Sequence, residues 1–113
     1  MKISYTYNAK LIRVTDGDTV HALIDVGFRL FSEQPLRLYG INAPEIKTPE
    51  GKLAKAHLTE LLGTGDQLTI KSYKDTEKYG RYLAEIYLPD DPISINQKMI
   101  DGGFAVEYFG GAR

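Results

Sequence analysis

Two runs of strand-forming residues, 10–15 and 19–26, are separated only by Asp16-Gly17-Asp18. A break that short, built from residues that favour tight turns, predicts a β-hairpin. In the second run Val20, Ala22, Ile24 and Val26 fall on one face by period two, and His21, Leu23 and Asp25 on the other, so the first set is expected in a core. Past a less regular stretch over 27–34, Leu36 and Leu38 alternate with Arg37 and Tyr39, which predicts a third strand ending near Ile41. Asn42-Ala43-Pro44-Glu45 breaks it.

Thr48 followed by Pro49 reads as an N-cap and first helical residue, after which Leu53, Ala54, His57, Leu58, Leu61 and Leu62 recur at helical spacing until Gly63 and Gly65. Residues 67–73 and 81–88 read as two more strands joined by a polar connection. Ser94 with Gln97 has the form of a capping box opening a short helix that Gly102-Gly103 closes, and 104–108 is extended. Five antiparallel strands with a helix between the third and fourth suit a small closed OB-fold barrel, an α+β chain that is mainly β, because closure removes exposed sheet edges. At 113 residues the chain is expected to form one domain over 1–113 with at most one active site.

Composition narrows the chemistry. Without cysteine there is no disulfide, thiolate zinc site or cysteine nucleophile, so any metal is expected to be a hard cation held by oxygen. A net charge of -1 excludes the global positive field of a nucleic-acid coat, and phosphate contacts must be local. Met1 to Ala9 lacks the apolar core of a secretory leader, which favours a cytoplasmic location, and no segment has the length of an apolar membrane span.

Three clusters carry potential chemistry, and each has a plainer reading. Asp16-Gly17-Asp18-Thr19 is a good hairpin turn. Asn42-Ala43-Pro44-Glu45 could be a strand-ending turn with a carboxylate before a helix. Lys78-Tyr79-Gly80-Arg81 could be a further turn opening a strand. Together with Arg37 they are more demanding, because phosphodiester cleavage uses positive charge around the phosphate and a carboxylate to position or deprotonate water. Arginine suits the clamp, since its planar fork donates to two phosphate oxygens at once. His21 and His57 are expected to have surface or packing roles, and Lys47, Lys52 and Lys55 to form a solvated helix face.

The runs 14–20, 36–45 and 76–84, that is VTDGDTV, LRLYGINAPE and TEKYGRYLA, resemble in order the three signature segments of the staphylococcal-nuclease-like (thermonuclease) family. The resemblance implies the OB barrel and a calcium-dependent endonuclease that cuts DNA and RNA to leave 3′-phosphate ends. It implies Ca2+ as cofactor, with Asp18, Asn42 and the Ala43 carbonyl as metal ligands, and Glu45 as the group orienting or deprotonating water. Arg37 and Arg81 stand at the guanidinium pair on the scissile phosphate. Lys78, Tyr79 and, through a loose match, Tyr108 stand at nucleotide contacts. Asn42 departs from the family's aspartate and removes one negative charge from the site. The expected partner is single-stranded or frayed nucleic acid, with no membrane association and a monomeric chain. The alternative is a catalytically weak or inactive OB-fold nucleic-acid-binding module.

Overall fold

The computed structural model describes residues 4–76 and 81–109. Its strands and helices follow the order β1 (Ser4–Asp16), β2 (Thr19–Asp25), β3 (Phe31–Leu38), β4 (Ile41–Asn42), α1 (Pro49–Leu62), β5 (Leu68–Thr76), β6 (Tyr82–Tyr87), α2 (Ile95–Asp101) and β7 (Val106–Glu107). Five strands close into a barrel in the order β1-β2-β3-β6-β5, and β4 pairs with β7 in a separate two-stranded ladder. The expected OB-type barrel, with α1 between its third and fourth strands, is therefore present.

The barrel is not antiparallel throughout. β3 and β6 run parallel, with Leu36, Arg37 and Leu38 beside Tyr82, Leu83 and Ala84. The chain reaches this geometry because α1, β5 and the connections lie between the two strands, and parallel neighbours need a long crossover. β1 also starts at Ser4, well before residue 10, because its first half pairs with β5, from Ser4 beside Tyr73 to Ala9 beside Leu68. The paired residues are 59 to 69 positions apart in sequence, beyond what local patterning can reveal.

Val20, Ala22, Leu36, Leu38, Ile70, Ala84 and Ile86 fill the barrel, each at most 1% exposed. Val26 does not join Val20 and Ala22 in the core. It lies past the end of β2 and is 41% exposed. Helix α1 begins as its sequence predicts, with the Thr48 hydroxyl accepting from the Gly51 N–H and Pro49 in the first turn. Its buried stripe is Gly51, Ala54, Leu58 and Leu62, while Leu53 faces solvent at 62% exposure. The stripe is set by two close approaches. A Cβ on Gly51 would collide with the Glu45 carbonyl, and one on Gly17 would fall 2.7 Å from both Ala43 and Ala54 side chains. Small residues at 17, 43, 51 and 54 thus let the β1–β2 turn, the segment after β4 and the start of α1 pack directly on one another.

Helix α2 opens at Ser94, whose hydroxyl accepts from Gln97 N–H at 3.0 Å. Only this half of the capping box forms, because the Gln97 amide donates instead to Asp101. The helix's Asn96 side chain is buried and cross-links three places: it accepts from Ile86 N–H and donates to the carbonyls of Tyr39 and Ala84. All its contacts are to backbone, so it ties α2 to β6 and to the turn leading into β4. No helix among the described residues is long and apolar enough to cross a membrane.

Candidate active site

Asp18, Arg37 and Asn42 gather where the β1–β2 turn, the end of β3 and β4 meet, and Arg81 reaches them through Thr19. Register explains this: Asp16 lies beside Thr19, and Thr19 beside Arg37, so the turn's carboxylates and the β3 guanidinium occupy adjoining strands on one face. Arg37 in turn neighbours Leu83, two residues beyond Arg81. The outward position of Arg37 follows from strand alternation, since Leu36 and Leu38 on either side point inward and are buried.

Asp18 is 8% exposed. Its Oδ2 accepts from Ala43 N–H at 2.8 Å and lies 3.4 Å from Arg37 Nη1, and its Oδ1 accepts from the Thr19 hydroxyl at 3.1 Å. Burial, reinforced by a hydrogen bond with the Asp16 carboxyl, pushes the Asp18 carboxyl up from 3.8 to about 6, outweighing the Ala43 N–H and the Arg37 charge. Arg37 donates to the carbonyls of Leu38 and Ile41 and, through Nη2, to Asn42 Oδ1 at 3.2 Å. The guanidinium is thereby aimed by backbone and amide partners before any ligand arrives. Arg81 Nη1 donates to the Thr19 hydroxyl at 3.2 Å, so one hydroxyl stands between Arg81 and Asp18.

Asn42 is held in place by the β4–β7 ladder opposite Val106. Tyr108 continues that clamp through its backbone, its N–H donating to Gly40 carbonyl at 2.8 Å. Glu45 is exposed beyond β4. Its carbonyl accepts from both the N–H and hydroxyl of Thr48, which couples its backbone to the start of α1. Lys78 and Tyr79 lie outside the described residues. His57 stacks on Phe104 with ring centroids 4.1 Å apart, a packing contact, and His21 sits half-buried beside Arg13 and Pro35.

Two members of the cluster, Asp16 and Thr19, carry no role in the sequence reading. The signal was present in the turn motif, but one residue of a β-turn does not show its side-chain partners until the third strand is in place. The oxygens available to a ligand are the carboxylates of Asp16 and Asp18, hydrogen-bonded to each other, and the amide of Asn42, which shares Arg37 with Asp18. A buried carboxylate whose charged form is disfavoured beside a second carboxylate is stabilised by a cation, and the all-oxygen set fits a hard one. Among the described residues no group of three or more acidic, imidazole or thiolate side chains suited to a metal is present, so the charge of the set is low.

A closed barrel carrying two turn carboxylates, an aimed β3 arginine and a second arginine before β6 defines an OB-type domain with a polar, charged site at one end of the barrel. Residues 35–112 match the family of staphylococcal nuclease homologues, and the chain belongs to that family. It is 31% identical over 101 residues to an uncharacterized endonuclease of Escherichia coli O157:H7, covering 89% of this chain and 61% of that protein. Endonuclease YhcR of Bacillus subtilis (strain 168) is 29% identical over 115 residues, covering 91% of this chain and 9% of that protein. A probable staphylococcal-like nuclease, CAN2, of Oryza sativa subsp. japonica is 37% identical over 70 residues, covering 62% of this chain and 18% of that protein. The chain thus spans between 9% and 61% of the length of these relatives.

Proposed function

We propose that the chain is a calcium-dependent endonuclease acting on DNA and RNA, with single-stranded or frayed substrates preferred and 3′-phosphate ends produced. The observation that carries this reading is the Arg81–Thr19–Asp18–Arg37 chain of contacts, in which two guanidinium groups flank one buried carboxylate. Metal-assisted phosphodiester hydrolysis uses that pairing of positive charge for the phosphate and negative charge for a cation. Asp18, Asn42 and the Ala43 carbonyl would hold the calcium ion, with Asp16 adding charge through its hydrogen bond to Asp18, and the ion when bound would supply Lewis-acid stabilisation of charge on the phosphate.

The chain's own residues do the rest. Glu45, on the rim, orients water and takes its proton as the water oxygen attacks phosphorus. The bond to the 5′ oxygen breaks, and that oxygen leaves and acquires a proton. Arg37 and Arg81 donate to the non-bridging oxygens as charge builds on them. Lys78, Tyr79 and Tyr108 contact the remainder of the nucleotide. These are contacts to phosphate and to one base face, so sequence preference is slight. Every group in this scheme comes from one chain, and a monomer is a complete catalytic unit.

Digestion of plasmid and of single-stranded oligonucleotides, with calcium and with chelator, tests the reading, with Glu45→Gln as the diagnostic variant. Its turnover is expected to fall about 10²- to 10⁴-fold with nucleotide binding retained. Wild-type rates in that variant remove Glu45 from the mechanism. Binding without digestion in every divalent cation replaces the enzyme reading with the nucleic-acid-binding module.

A further inference from the structure

At the far end of β2 and β3, six residues and about 20 Å along the strands from Thr19, the chain exposes a run of large apolar side chains. Phe28 is 96% exposed, Leu30 and Phe31 60% each, and Val26 41%. Four such side chains within six residues are not the scattered surface apolars of an ordinary monomer. The tip is also built rather than slack. Gly27, Phe28 and Arg29 have φ of 87°, 56° and 63°, a conformation that side-chain-bearing residues rarely adopt. It is fixed by Val26 N–H to Leu30 carbonyl, Leu30 N–H to Gly27 carbonyl and Gly27 N–H to the Asp25 carboxylate. A phenyl ring pushed into solvent on a strained, hydrogen-bonded support is the form of a preorganised anchor.

Beside the tip is a cavity of about 500 Å³ walled by Leu23, Phe31, Leu68, Pro89, Asp25 and Asp66, a volume typical of sites that admit a ring. Its charge is the reverse of the tip's: two carboxylates against one lysine, Lys10, in the wall, facing a tip that carries Arg29. Phosphate-rich partners and anionic bilayers are repelled by such a wall, whereas a ring with an arginine beside it matches both its apolar and its acidic parts. Asp25 and Phe31 belong to the cavity wall and flank the tip, so knob and hole lie side by side. A two-fold axis between them brings each copy's knob to the other's hole, the self-complementary arrangement of an isologous contact.

We propose that this end of the barrel is a self-association surface, in which Phe28 of one copy enters the Leu23–Phe31–Pro89 cavity of a second copy and Arg29 pairs with its Asp66, reciprocally. The contact is small, so the product is a concentration-dependent dimer rather than an obligate one. It leaves the active-site end of each barrel open.

Sedimentation velocity over a concentration series, from micromolar to near-millimolar, reads this without reference to catalysis. The wild type is expected to move from one-chain to two-chain mass. Phe28→Asp, which suits a positive φ and removes no packing, raises the dissociation constant by at least about tenfold, the scale of losing one aromatic anchor. Arg29→Glu and Asp66→Lys each weaken association, and mixing the two variants restores it, because both contacts in the mixed dimer regain opposite charges. Circular dichroism melts confirm that each variant is folded. A wild type that stays monomeric throughout overturns the proposal, whether or not it adsorbs to lipid vesicles. So does an unchanged constant in Phe28→Asp, or failure of the mixed variants to recover.

Discussion

Arg37 Nη1 lies 3.4 Å from Asp18 Oδ2 with each side chain 11% exposed, yet the carboxyl's affinity for its proton is raised. Desolvation and the neighbouring Asp16 outweigh the arginine. The protonated form is therefore favoured by folding, and the sign of the pH effect follows. This group's contribution to stability is full below its unfolded value of 3.8 and is lost as pH rises through about 6.

Asp18→Asn removes that dependence while keeping an oxygen for Ala43 N–H. In chelator at pH 7.5 the variant is expected to be more stable than wild type, by up to roughly 3 kcal/mol, with the advantage shrinking towards pH 4. Denaturant melts at the two pH values check it. Equal stability of the two proteins at pH 7.5 means that the buried carboxylate is not strained in its charged form. The same substitution is expected to abolish calcium-dependent digestion, so stability and activity move in opposite directions.

Asn42→Asp adds a negative oxygen where Asn42 Oδ1 now accepts from Arg37. Tighter calcium binding and faster digestion at limiting calcium are expected, since charge count tunes hard-cation affinity. Without metal a third carboxylate beside Asp16 and Asp18 lowers stability, and calcium reverses the order by mass action. Calorimetric titration and melts with and without calcium read the two halves. An unchanged calcium affinity would show that residue 42 does not face the ion.

Gly51→Ala places a methyl group against the Glu45 carbonyl. The segment holding Glu45 must then shift, because the opposing atoms are backbone and cannot rotate away. A stability loss of about 1–3 kcal/mol is expected, together with a fall in kcat at nearly constant KM, because Glu45 is displaced while the phosphate-binding arginines stay in place. A fall in stability alone, with kcat intact, would separate the helix start from the position of Glu45.

Asn96→Ala leaves Ile86 N–H and the carbonyls of Tyr39 and Ala84 without their side-chain partner. Unsatisfied buried groups of this kind cost about 1–3 kcal/mol each, so a midpoint shift in urea larger than that of a surface alanine substitution is expected. Slower exchange of the Ile86 amide in wild type than in the variant locates the effect.

Much of this architecture was legible in local chemistry. The Asp16–Thr19 turn, the Thr48-Pro49 helix start and the Ser94 cap depend on neighbours within a few residues, and each forms where it was expected. The parallel β3–β6 closure, the extension of β1 to Ser4 and the β4–β7 clamp on Asn42 depend on partners 40 to 70 residues away, which periodicity does not report. Within the site, the grouping of Asp18, Arg37 and Asn42 came from the resemblance of three ordered segments to the family, since each segment alone reads as an ordinary turn or strand. The parts played by Asp16 and Thr19 were not legible, because they act through other side chains and their own spacing is that of any tight turn.

Closure of the barrel between β3 and β6 also orders events in time. Asp16, Asp18, Arg37 and Asn42 all precede α1, but the strand that follows Arg81 and the ladder opposite Asn42 come after β5. Pairings of such long sequence separation form late. A nascent chain leaving the ribosome therefore holds half a site, with its second guanidinium unmade and Asn42 unclamped. On the proposed reading, hydrolytic competence therefore arises only after β7 has been made, and a chain short of that point carries no complete site.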